Sequence, residues 1–203
     1  WGSEMCIRDR TSSDQNAALV QNGGTLTITN GKLTKSGDSD NADNCNFYGT
    51  NSALLAVGEK SKAIISDSSI DATSSGSNAI FSTDSASVLA NNVNITTSAA
   101  NSRGLDATYG GSIIANAMTI STKGDHSASL ATDRGGGSVS VTDSTLNTAG
   151  SGSPLLYSTG DIEVSGVTGT ASGSQIAGME GLNTILINNS TLESTNTGTT
   201  GSD

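Results

Sequence analysis

Apolar and polar residues alternate along this chain in short runs, and the runs return at a nearly constant interval. A six-residue phrase recurs seven times: apolar, polar, turn residue, any residue, polar, apolar. The copies begin Ile28-Thr29-Asn30-Gly31-Lys32-Leu33, Ile65-Ser66-Asp67-Ser68-Ser69-Ile70 and Ala90-Asn91-Asn92-Val93-Asn94-Ile95. They continue Ala115-Asn116-Ala117-Met118-Thr119-Ile120, Val141-Thr142-Asp143-Ser144-Thr145-Leu146, Val164-Ser165-Gly166-Val167-Thr168-Gly169 and Ile187-Asn188-Asn189-Ser190-Thr191-Leu192. Their first residues step by 37, 25, 25, 26, 23 and 23. Repeats of this period mean a solenoid, in which no unit buries its own core.

Two positions before each phrase comes an apolar residue: Leu26, Ala63, Val88, Ile113, Val139, Ile162 and Ile185. With the first residue of the phrase it forms an i, i+2 pair on one face of a strand. The turn column reads Asn30, Asp67, Asn92, Ala117, Asp143, Gly166 and Asn189. Six of these seven are Asn, Asp or Gly, which tolerate left-handed backbone geometry. The chain bends there and starts a second strand, with Leu33, Ile70, Ile95, Ile120, Leu146 and Leu192 facing inward; Gly169 breaks this column. A third apolar column is expected at Leu19, Leu55, Ile80, Leu105, Leu130, Leu155 and Ile176. Each unit therefore holds three short strands and three bends. The prediction is an all-β, three-sided parallel β-helix of about seven coils, right-handed by the general rule for parallel crossovers. At the usual interstrand spacing it makes a rod roughly 30–35 Å long.

Composition alone would suggest disorder: 33% of the 203 residues are hydrophobic. The periodicity overrides that, because a narrow solenoid needs few inward residues per coil. The net charge of −10, without a Lys/Arg cluster, argues against nucleic acid and anionic membrane surfaces. The two cysteines, Cys6 and Cys45, have no metal-type spacing, and a disulfide between them is not expected. No apolar run is long enough for a membrane helix, and no signal peptide is visible.

Residues 1–10 lack the repeat's composition and resemble translated sequencing-adapter read-through at the edge of a metagenomic fragment. They are expected to lie outside the fold. The β-helix is assigned to residues 11–198 and a truncated tail to 199–203, with caps, export signal and anchor expected on sequence beyond this fragment.

The long first interval places an insertion near residues 37–49, expected as a surface loop. Its Asp38, Asp40 and Asp43 offer hard oxygen ligands, so a weak Ca²⁺ site is a candidate; an acidic solvated loop is the simpler reading. The strip after the third column carries Asp84, Asp106, Tyr109, Asp133, Arg134, Tyr157 and Glu180. Adjacent coils make Tyr109 and Arg134 neighbours. Of these, Tyr109, Asp133, Arg134, Tyr157, Asp106 and Glu180 are candidates for glycan contact, set against a solvent face of side-chain ladders. His126 reads as an exposed turn residue.

The phrases Thr25-Leu26-Thr27-Ile28-Thr29-Asn30-Gly31, Ser138-Val139-Ser140-Val141-Thr142-Asp143-Ser144-Thr145-Leu146 and Thr184-Ile185-Leu186-Ile187-Asn188-Asn189-Ser190-Thr191-Leu192 carry a resemblance. The chain resembles right-handed parallel β-helix proteins of the pectate-lyase-like superfamily, especially adhesin-like bacterial surface proteins. The resemblance implies export, display at the cell surface beside neighbouring domains of a longer protein, and contact with polysaccharide or surface glycans. Polygalacturonase-like members carry Asn-Thr-Asp, Asp-Asp, Gly-His-Gly and Arg-Ile-Lys motifs, and none occurs here. The expectation is therefore a non-catalytic module with no cofactor beyond optional Ca²⁺. The alternatives are a dedicated carbohydrate-binding module or a polysaccharide lyase or glycoside hydrolase, with Asp106, Asp133 and Arg134 as the residues to examine. A threonine ladder for ice binding is spoiled by Lys32, Asp71 and Glu193.

Overall fold

The computed structural model describes residues 6–198. Seven coils stack in parallel. A leading strand, β1 (Cys6–Arg10), precedes coil one, which consists of β2 (Ala18–Val20), β3 (Thr25–Thr29) and β4 (Gly31–Lys35). Helix α1 (Ala42–Tyr48) follows. Coil two is β5 (Leu54–Val57) and β6 (Lys62–Ala72); coil three is β7 (Ile80–Thr83) and β8 (Ser87–Thr97). Coil four is β9 (Leu105–Thr108), β10 (Ser112–Asn116) and β11 (Thr119–Thr122). Coil five is β12 (Leu130–Asp133), β13 (Ser138–Thr142) and β14 (Thr145–Thr148). Coil six is β15 (Leu156–Ser158), β16 (Asp161–Ser165) and β17 (Thr168–Ala171); coil seven is β18 (Ala177–Met179), β19 (Thr184–Asn188) and β20 (Thr191–Ser194). In β6 and β8 the first and second strands of a coil run on as one bent strand of 11 residues.

The bend that joins those two strands lies where the sequence puts it. Asn30, Asp67, Asn92, Ala117, Asp143, Gly166 and Asn189 all have positive φ, between 47° and 68°. The position after the bend is serine in three of the seven coils for a reason. Ser68, Ser144 and Ser190 each accept the amide hydrogen of the coil below (Gly31, Met118 and Val167) and donate to the carbonyl two residues upstream. Each hydroxyl thus satisfies two backbone groups that the bend takes out of the ladder.

A second serine column lines another corner. The amides of Ser77, Ser102 and Ser127 donate to the hydroxyls of Ser102, Ser127 and Ser153 at 2.9–3.0 Å. These hydroxyls are buried, so the stack replaces water for backbone groups that turn inside the rod. At coil one the interior also takes a lysine. Lys35 is fully buried, and its ammonium donates to the carbonyls of Ser12, Ser36 and Gly37. Burial lowers its pKa, opposed by Asp14.

The core follows the expected columns with one shift. The inward residues of the seven-stranded sheet are Ala18, Leu54, Ile80, Leu105, Leu130, Leu156 and Ala177. Leu19 and Leu55 fall on the outer face, because a one-residue change of register sends a strand side chain to the other side. Leu155 and Ile176 sit one place earlier, at the corner, and still pack on the core. Leu26, Ile185 and Leu192 are half-buried and Ile187 is 43% exposed, since they belong to the first and last coils.

The break at Gly169 is compensated across the rod. In coil four the corner holds Gly104, where an added Cβ would lie 2.6 Å from Ile120 Cγ2. In coil six the sizes are exchanged: the corner holds Leu155, and an added Cβ on Gly169 would lie 2.7 Å from Leu155 Cδ1. The same space is filled from the opposite wall.

Two expectations are corrected. Residues 6–10 of the segment set outside the fold pair in parallel with β4, from Cys6 opposite Gly31 to Arg10 opposite Lys35. An open strand edge accepts any extended segment, whatever its composition; residues 1–5 and 199–203 lie outside the described residues. The insertion is not merely a loop. Asn41 caps the amide of Asn44, Gly49 ends the helix at φ 73°, and the turn between them buries Cys45.

Candidate functional site

Helix α1 lies on the outer face of the seven-stranded sheet. Its end presses on apolar side chains there: a Cβ on Gly49 would lie 2.5 Å from Leu55 Cδ1 and from Phe81 Cδ1. Gly76 makes room for the Cys45 thiol, 2.8 Å from where its Cβ would be. Polar ties fix the helix to coils three and four. Asn78 Nδ2 donates to the Cys45 carbonyl at 3.1 Å, and Thr108 Oγ1 to the Phe47 carbonyl at 2.7 Å. Arg103 Nη1 donates to Asn46 Oδ1 at 2.5 Å.

The outer columns of that sheet then bring the sequence candidates beside the helix. Tyr109 and Arg134 occupy adjacent coils, as expected, with the Tyr109 amide donating to the Arg134 carbonyl at 2.8 Å. The Tyr48 ring stacks on Tyr109 at 5.6 Å with 7° between planes. The Arg134 guanidinium sits 4.0 Å from the Phe47 ring centroid. Tyr48 and Arg134 are exposed and Tyr109 is half-exposed, so the four side chains form a shelf open to solvent. The hydrogen bond with Tyr48 raises the Tyr109 pKa.

Beneath the shelf lies a buried charge cluster. Arg103 Nε is 3.9 Å from Asp106 and its Nη2 is 4.0 Å from Asp133. Asp106 is fully buried, and neither of its carboxylate oxygens has a hydrogen-bond partner among the described residues. Burial raises its pKa well above the carboxylate range; Arg103 opposes the shift and Asp133 adds to it. Asp133, half-buried, is also raised by burial, with Arg103 opposing. Tyr157 is 8% exposed and packs with Ala128 and Ala131. Its phenol is pushed up to about 12, by burial first and then by the Glu180 carboxylate.

Of the six glycan candidates, Tyr109, Asp133 and Arg134 therefore reach the surface together. Asp106 and Tyr157 are covered, and Glu180 is exposed above Tyr157. Asp106 and Asp133 occupy different columns, as the sequence indicated, yet one guanidinium reaches both. Sequence reasoning missed Arg103, and it left Phe47 and Tyr48, two of the few aromatics usable for sugar stacking, outside the strip. No column of the repeat marks Arg103, whose partners Asn46, Asp106 and Asp133 come from three segments. For the aromatics the signal was the pair of caps Asn41 and Gly49 around them.

The Ca²⁺ candidates do not converge. Asp38 Oδ1 accepts the Ser75 amide, Asp43 lies in the first turn of α1, and Asp40 is exposed. No group of three His, Cys, Asp or Glu able to hold a metal exists among the described residues. Cys45 is a free, buried thiol whose pKa burial raises. No helix among the described residues is long and apolar enough to cross a membrane. No protein-family model, curated protein or solved structure matches the chain.

Proposed function

We propose that the chain is a non-catalytic module of a secreted or cell-surface, adhesin-like protein, a rigid β-helix that displays a shallow glycan-contact shelf. The observation that carries this reading is the open group of Tyr48, Tyr109 and Arg134 across adjacent coils, with Asp133 beside it. Flat phenol faces stack on sugar rings, and an arginine and a carboxylate hydrogen-bond to hydroxyls. The resemblance to pectate-lyase-like surface proteins supports export and display. The shelf is shallow, so repetition on a surface supplies strength that a single site lacks. The acidic rod disfavours anionic polymers unless Ca²⁺ bridges them, which favours neutral glycans.

The second reading is a polysaccharide lyase or glycoside hydrolase, favoured by the raised pKa of both Asp106 and Asp133. It ranks lower because a general acid must touch the leaving oxygen, and Asp106 is covered and held near Arg103.

A glycan array with and without Ca²⁺ tests the first reading. Binding should occur and should be lost in Tyr109→Ala and Arg134→Ala while the thermal melt stays unchanged. Absence of binding in both conditions removes the glycan role and leaves a spacer. Cleavage of any polysaccharide with new unsaturated or reducing ends overturns the non-catalytic reading, and Asp133 becomes the first residue to replace.

A further inference from the structure

One wall of the rod, away from the shelf, carries an open apolar strip. It is the outer face of the first strands: β3, the first halves of β6 and β8, then β10, β13, β16 and β19. Ile64, Leu89 and Ile114 follow one another in its central column, and Ser140 and Glu163 continue that column. Leu89 is 36% and Ile114 57% exposed. Ile64, Leu89, Ile114 and Ser140 line one shallow groove of about 190 Å³. In coils three to five no outward first-strand residue is charged, although the chain's net charge is −10.

Charge enters this face only at the two flanks of the strip. In the column beside the centre, Lys62 stands two coils before the coil of Ile114. Asp161 stands in the same column two coils after it, with Glu163 next to it on the strand. None of these three side chains has an ion pair among the described residues.

That arrangement matches its own rotated image. A two-fold axis along the strands, through the coil of Ile114, reverses the order of coils and keeps each residue's place along the strand. It lays Ile114 on Ile114, Leu89 on the small Ser140, and Lys62 on Asp161, the last two once on each side of the axis. The same axis centred on Leu89 sets Lys62 against Ser112 and leaves the acids unmatched. An axis along the rod keeps the order of coils, so it brings like-charged flanks together. Only the register centred on Ile114 joins opposite charges.

We propose that this face joins two copies of the chain in an isologous dimer about an axis through Ile114, with the rods running in opposite directions. The two sheets then pack with aligned strands, the common geometry for face-to-face sheets. Seven coils of five-residue strands make a face of roughly 34 Å by 17 Å, or about 1,200 Å² for both copies. That is the low end for a specific interface, so the dimer is weak and reversible. The shelf lies on the seven-stranded sheet, a different wall, so both copies keep it open. The dimer does not depend on what the shelf binds.

Sedimentation equilibrium of the full chain tests this, at concentrations up to about 1 mM because the interface is small. The wild type should form reversible dimers and no larger species, and added salt should weaken them. Ile114→Asp, at an exposed position that leaves the circular dichroism unchanged, should raise the dimer Kd at least about tenfold. The charge pairs test the register. Chains carrying Lys62→Glu, and chains carrying both Asp161→Lys and Glu163→Lys, should each stay monomeric alone, because like charges then face each other. Mixed, they should form heterodimers at least as tightly as the wild type, because both flanks again pair opposite charges. A wild type that is monomeric throughout, an unaffected Ile114→Asp protein, or a mixture that does not associate overturns the proposal.

Discussion

The exchange of sizes between Leu155 and Gly169 gives a sharp energetic test. Leu155→Ala removes the isopropyl group that comes nearest to Gly169, and a glycine on the wall opposite has no side chain to move into the space. The cost should be about 3 kcal/mol, within the usual range for a buried leucine that leaves a cavity. Gly169→Leu alone forces a side chain where even a Cβ would lie 2.7 Å from Leu155 Cδ1 and 3.2 Å from Leu192 Cδ2, and should cost about 2 kcal/mol or more. The double variant recreates the arrangement of coil three, with a small corner residue, Ala79, and a large second-strand residue, Ile95. It should lose less than about 2 kcal/mol, because removing a strand glycine also lowers the entropic cost of folding. The coupling between the sites is then about 3 kcal/mol. Urea unfolding followed by far-UV circular dichroism measures it, as midpoint shifts at unchanged slope. Simple additivity of the two single losses would refute the claim that these residues share one space.

Other consequences follow from single positions. Ala117 is the one turn-column residue that is neither Asn, Asp nor Gly, yet its φ is 55°. Ala117→Gly should stabilise by up to about 1 kcal/mol, read from the urea midpoint, and a loss would show that the alanine methyl packs favourably. The raised pKa of Asp106 means the folded state holds its proton more tightly than the unfolded chain does. Its contribution is therefore present at acid pH and is lost as pH rises through the folded value. Asp106→Asn should raise the urea midpoint at neutral pH and flatten its dependence on pH; an unchanged profile would contradict the burial argument. Ile120→Ala, at a fully buried second-strand position, should cost about 2–5 kcal/mol by the same unfolding measurement.

The solenoid was legible because its signals are local and repeated. Each coil restates the i, i+2 pair, the turn residue and the second-strand apolar residue, so an error in one coil does not spread. The doublets Leu54-Leu55 and Leu155-Leu156 were where the reading slipped, since two adjacent leucines fit either face and only the neighbouring strand decides. The serine columns were hidden because Ser is common throughout the chain. Only stacking shows which hydroxyls meet a buried amide. Of the site, Tyr109, Asp133 and Arg134 could be found by register. Phe47 and Tyr48 could not, because a seven-residue helix carries too little periodicity to stand out inside an insertion. Arg103 was obscured because its role depends on contacts with residues from three different segments.

The central claim is that the shelf beside α1 is the functional face of the rod. Two-dimensional NMR of the labelled chain, titrated with a neutral oligosaccharide selected from the array, tests it most directly. The account predicts that shift changes gather at Tyr48, Tyr109, Asp133 and Arg134 and that the sugar stays intact. Changes centred elsewhere on the rod, such as the exposed strip of Leu89 and Ile114, or the appearance of cleaved sugar, would contradict it.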